Sequence, residues 1–128
     1  MPREALSSDN APKAIGPYSQ AIRVDAGRLT FLSGQIPLDP ATGEMIAGDV
    51  EAQTERVMQN LKAVLAAGNL DFSHVARTTI FLTDLGDFGK VNAVYGRYFT
   101  AAPPARATVQ VAALPRGAKV EIDCIAVG

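Results

Sequence analysis

The sequence predicts an α+β domain, a single mixed β-sheet with two helices packed on one face, and three observations carry that reading. An apolar stripe in steps of three and four, Val50, Thr54, Val57, Leu61, Val64 and Leu65, lies between Asp49 and Gly68. A second stripe, Phe88, Val91, Val94, Tyr95, Tyr98 and Phe99, follows a continuous apolar run from Val75 to Leu82. Short segments with strand composition, set off by Gly and Pro, flank both stripes. The order is β-β-α-β-α-β-β, in one domain over residues 1–128.

Taken in order, Met1 to Ala11 is polar and expected to be partly mobile, and Pro12 to Pro17 is loop. Tyr18 to Val24 alternates weakly, and Ala26-Gly27-Arg28 joins it to Leu29–Ser33 in what reads as a hairpin. Gly34 to Gly48 holds Pro37, Pro40 and Gly43, a loop long enough to suggest function. Asp49 suits an N-cap, Glu51 places charge favourably in the first turn, and Gly68 is placed as the C′ glycine. Val75 to Leu82 is a strand whose apolar side chains are too continuous for an edge. Asp84 and Asp87 are alternative caps for the second helix, which Gly89 and Gly96 weaken by about 1 kcal/mol each. Two strands finish the chain, one from Arg106 through the run Ala107 to Ala113 and one from Lys119 to Val127. With both helices on one side, the other sheet face carries apolar residues that an oligomer would cover.

Composition excludes more than it names. Twelve basic and thirteen acidic residues leave a net charge of −1, with Lys and Arg scattered, so no nucleic-acid face is indicated. One cysteine, Cys124, cannot form an internal disulfide and fits a reducing compartment. No apolar run approaches the roughly 18 residues of a membrane span, and the N-terminus lacks a signal core, so a cytoplasmic protein is expected. His74 stands alone and no phosphate-cradling glycine motif occurs, so neither metal nor nucleotide is indicated.

Chemistry concentrates in Pro103-Pro104-Ala105-Arg106-Ala107-Thr108 and Lys119-Val120-Glu121-Ile122-Asp123. The prolines fix an extended approach and remove two backbone donors, delivering one arginine into a buried strand. If the last two strands pair, Arg106 and Glu121 meet at one end of the sheet: a fork suited to a carboxylate beside a group able to move a proton. Alone, each has a plainer reading, Arg106 as a surface ion-pair partner and Glu121 as part of an exposed strand face.

Asn10-Ala11-Pro12, Ile15-Gly16-Pro17-Tyr18, Ser33-Gly34-Gln35-Ile36-Pro37, Val91-Asn92, Pro104-Ala105-Arg106 and Val120-Glu121-Ile122 together resemble the RidA (YjgF) family, from about Ser8 to Val127. The resemblance implies a chorismate-mutase-like fold, a homotrimer with sites between subunits, and cofactor-free hydrolysis of 2-aminoacrylate, 2-aminocrotonate and their imines to 2-oxo acids and ammonium. By that resemblance Arg106 matches the substrate-carboxylate arginine, Glu121 the residue that positions or activates water, and Tyr18 the site tyrosine. Ser33, Gly34, Phe88 and Asn92 match other cleft positions, and Thr108 stands where many relatives carry cysteine. The competing functions are a trimeric binding or chaperone-like module for 2-oxo or amino acids, a ribonuclease, and a chorismate mutase. Charge argues against the ribonuclease, and the single placed cation argues against the mutase.

Overall fold

The computed structural model describes residues 3–128. Six strands and two helices appear in the order β1 (Arg3–Leu6), β2 (Ala21–Val24), β3 (Leu29–Gln35), α1 (Val50–Ala67), β4 (Val75–Leu82), α2 (Phe88–Tyr95), β5 (Ala105–Gln110) and β6 (Val120–Val127). The four later strands form one mixed sheet in the order β3-β6-β4-β5, parallel only between β4 and β5. Both helices lie on one face of it, as the periodicities predict, and β4 is central, as its doubly apolar composition requires.

α1 starts where Asp49 accepts a hydrogen bond from the Ala52 amide at 3.0 Å. It buries Val50, Val57, Met58, Leu61 and Leu65 in one cluster with Ile80, Leu82, Val120 and Ile122. The buried Thr54 hydroxyl donates to the Val50 carbonyl at 2.7 Å, so its place in the apolar stripe leaves no polar atom stranded. Gln53 accepts from the Lys119 amide at 2.9 Å and ties the helix to the entrance of β6.

Several expectations change. Part of the polar N-terminus is a strand: β1 pairs antiparallel with β2 as a separate two-stranded ribbon. The hairpin expected between Tyr18–Val24 and Leu29–Ser33 is therefore absent among the described residues, because β2 takes β1 and β3 takes β6 as partner. Val64 is exposed rather than buried, since the helix rotates its stripe through Met58 and Leu61 instead. Gly68 ends α1, but Asn69, at φ 58°, holds the left-handed conformation. α2 is only eight residues long: Asp84 caps a 3₁₀ turn before it, and a second 3₁₀ turn, Gly96–Tyr98, follows. The Arg106 strand stops at Gln110, short of Ala113.

Two buried acids, Tyr95 and Cys124, and the partly buried Tyr98 make the fold sensitive to base. Burial raises the Tyr95 and Tyr98 phenols from 10.0, and the Cys124 thiol from 9.0, each to about 12. The unfolded chain releases these protons first, so stability is fully present below about pH 9 and declines as pH rises towards 12. Urea unfolding at pH 8, 10 and 11 is expected to show falling midpoints. Tyr95→Phe should reduce the slope while costing about 1–3 kcal/mol at pH 8, because it strands the Thr78 hydroxyl that Tyr95 bonds at 2.7 Å.

Candidate active site

The loop before β2 is fastened to the entrance of β5. The Ser19 amide donates to the Pro104 carbonyl at 3.2 Å, and the Ser19 hydroxyl donates to the Pro103 carbonyl at 2.5 Å. These bonds hold the Ile15-Gly16-Pro17-Tyr18 segment over the strand on which Arg106 stands second. Arg106 lies opposite Thr78 of β4, on the helix-covered face.

Its guanidinium is enclosed. Nη1 donates to Asn92 Oδ1 at 2.7 Å, and the ring centroids of Tyr18, Phe88 and Tyr95 lie 5.5, 5.4 and 5.2 Å from Cζ. Each ring attracts the cation through its quadrupole, and together they shield part of it from water. A Cβ at Gly16 would stand 3.4 Å from Nη2 and 3.6 Å from Asn92 Nδ2, so the main chain closes directly on the group. Burial pushes the Arg106 pKa below its usual value, but a guanidinium stays charged at neutral pH. Among the described residues no carboxylate pairs with it. A half-buried cation with no counter-charge among the described residues, its fork oriented by an amide, has the charge and the shape to take a small carboxylate. Two residues on, facing the same way, Thr108 has a buried Oγ1 with no hydrogen-bond partner among the described residues.

Glu121 stands elsewhere. In β6 the buried residues Val120, Ile122 and Cys124 face the helices, so Glu121 and Asp123 face the open side of the sheet. A bulge in β3 sets Ser33 and Gly34 against the single Asp123, between the pairs Leu32↔Cys124 and Gln35↔Ile122. There a Cβ on Gly34 would lie 2.0 Å from Glu121 Oε2, so the glycine is the space the carboxylate occupies.

The expected residues thus fall into two groups. Tyr18, Phe88, Asn92, Thr108 and Arg106 share the edge of the sheet beside α2, while Ser33, Gly34 and Glu121 share the open face. The expected meeting of Arg106 and Glu121 within one chain does not occur. α2 carries the chain across to a parallel β5 on one side of β4, and β6 returns antiparallel on the other, so β4 separates the two strands. Tyr95 and Gly16 belong to the Arg106 group and were not among the expected site residues. Tyr95 read as core from its apolar stripe; its hydroxyl among apolar neighbours was the available signal.

A family model described as endoribonuclease L-PSP matches residues 8–128. "Protein DfrA" of Myxococcus xanthus is 80% identical over 127 residues, spanning 99% of this chain and 97% of that protein. The mouse 2-iminobutanoate/2-iminopropanoate deaminase is 49% identical over 125 residues, spanning 98% of this chain and 91% of its own length. The crystal structure of E. coli TdcF with bound serine superposes with a TM-score of 0.75 at 44% identity, covering 98% of each chain. A family match over nearly the whole length, joined by relatives that share about half or more of the residues end to end, settles the lineage: the chain belongs to the endoribonuclease L-PSP family, the RidA (YjgF) family that its motifs resemble.

Proposed function

We propose that this protein hydrolyses small 2-imino acids, and the enamines that tautomerise to them, to 2-oxo acids and ammonium. The observation that carries the reading is the enclosed, uncompensated Arg106 guanidinium with its fork set by Asn92. A 2-imino acid has a carboxylate beside an electrophilic carbon. Gripping the carboxylate bidentately fixes the orientation of the C=N bond. An enamine first takes a proton on its terminal carbon to become the iminium. Water then adds to the imine carbon and loses a proton to Glu121. Glu121 returns that proton to nitrogen, the C–N bond breaks as the hydroxyl oxygen forms the C=O, and the hydroxyl's own proton passes to the departing ammonia, so water supplies the oxygen of the 2-oxo acid and nitrogen leaves as ammonium. One positioned acid–base group typically contributes about 10²–10⁴-fold, and the reaction needs only water besides.

Because the two groups of residues lie on opposite faces of the sheet, the reading needs a second copy to bring its Glu121, Ser33 and Gly34 to the Arg106 of its neighbour. A homotrimer with three such clefts meets that need. The open face supports it: Phe31 is 70% exposed, Leu29 55% and Val109 42%, an apolar surface unsuited to water.

A second reading, a binding module for amino or 2-oxo acids, is favoured by the serine held in the TdcF structure. Glu121 separates the two readings, since a second negative charge weakens a carboxylate binder but serves a hydrolase. The family description names an endoribonuclease; a net charge of −1 and a single histidine give that activity no backbone grip and no acid–base pair. The test couples the protein to a dehydratase that releases 2-aminocrotonate. We expect 2-oxo acid to appear faster and the free enamine to fall; unchanged kinetics, with 2-oxo acid bound at equilibrium, would favour the binding module.

A further inference from the structure

We infer that Arg77 of one copy pairs with Asp123 of the next, and that this ion pair sets the register in which the open sheet faces close on each other. The inference rests on the reading that a second copy completes the site, and adds to it the residues that choose how the copies meet.

Strand register places both charges on the open face. Arg77 lies opposite Ile125 and Ala105, Asp123 lies opposite Thr79, and their chain neighbours Thr78, Ile122 and Cys124 are buried on the helix side. Arg77 and Asp123 are thus diagonal neighbours across β4 and β6, yet no ion pair joins them, and among the described residues neither has another charged partner. Two opposite charges held unpaired among Phe31, Val109 and Ile125 are costly on a surface about to lose its water, unless each finds its complement there. A face carrying both signs, one strand apart, complements a rotated copy of itself: the cation of one meets the anion of the next all round a closed ring. An unrelated partner would need its own matching pair, whereas a second copy supplies it automatically. Glu121, next but one to Asp123, lies over Gly34 and is already assigned to the proposed cleft, which leaves Asp123 as the acid for Arg77. Charge complementarity also rejects slipped arrangements, where like charges would meet.

The experiment reads association and fold separately, by sedimentation velocity across a micromolar range and by circular dichroism melting. Arg77→Glu or Asp123→Arg alone should raise the dissociation constant of the assembly at least about a hundredfold. The exchanged variant Arg77→Asp with Asp123→Arg should return it to within about tenfold of the parent. Recovery by the exchange identifies the pair and excludes simple misfolding of the single variants. Assembly that survives both single reversals overturns the inference, as does an exchange that restores nothing. Single reversals that lower the melting temperature of a still-assembled protein would place the pair within one chain and overturn it equally. A parent that sediments as a monomer at every concentration would instead sink the two-copy site, a different failure from any of these.

Discussion

Arg106→Ala is expected to abolish the acceleration of 2-oxo acid release, lowering kcat/KM by about 10²–10⁴-fold. The magnitude follows from removing a bidentate, charge-assisted grip, at roughly 1.5–3 kcal/mol for each hydrogen bond to a charged group. The fold should survive, because Arg106 makes no ion pair among the described residues and its one side-chain hydrogen bond goes to Asn92. Arg106→Lys keeps the charge but loses the planar fork, and should fall between the two. Asn92→Asp is the sharper variant. It leaves Arg106 in place but supplies a carboxylate where Oδ1 now accepts at 2.7 Å, so the guanidinium acquires a resident counter-ion. KM should then rise at least about tenfold, with kcat less affected, because the substrate must displace an internal competitor. Steady-state kinetics with freshly generated 2-aminocrotonate would read all three. An alanine variant with an undiminished rate would remove Arg106 from the reaction.

How much of this was written in the sequence differs between the two halves of the site. The helices and the central strand were legible because burial is periodic: β4 runs from Val75 to Leu82 as its composition predicts, and α1 starts at the cap Asp49 offers. The Arg106 group was partly legible, since Tyr18, Phe88 and Asn92 gather round the arginine as the family resemblance implies. Tyr95 was hidden because a helical stripe marks which residues are buried, not which of them turns a ring towards a cation. The partner of β6 was hidden for a topological reason. Adjacent strands in sequence usually pair, but the crossover through α2 commits β5 to the outer side of β4. Strand alternation did contain the separation of the faces: Arg106 lines up with buried Thr78, while Glu121 falls between buried Val120 and Ile122. Reading that parity requires knowing the register, and a single sequence does not give it.

The open-face half of the site carries the second large effect. Glu121→Gln is expected to lower kcat by about 10²–10⁴-fold, the usual contribution of a positioned acid–base group, while leaving the shape of the cleft intact. Gly34→Ala should reproduce much of that loss without altering the glutamate. Its Cβ would lie 2.0 Å from Oε2, 2.8 Å from Cδ and 3.0 Å from Cγ of Glu121. The glutamate tip is flexible and the bulged strand is not, so the carboxylate must swing out of place while the fold and the copy-to-copy contacts persist. The two variants should share one signature, kcat falling far more than KM rises, because Arg106 still holds the ligand in both. Affinity for a 2-oxo acid supplies the contrast. In Glu121→Gln it should hold or tighten, since a negative charge facing a carboxylate has been removed, and calorimetry reads this directly. A hydrolase that uses Glu121 on water predicts the two measurements to part, with turnover lost and binding kept. A binding module predicts tighter binding and no turnover to lose. If turnover persists in both variants, some group other than Glu121 moves the water proton, and only the grip of Arg106 on the carboxylate remains of the mechanism.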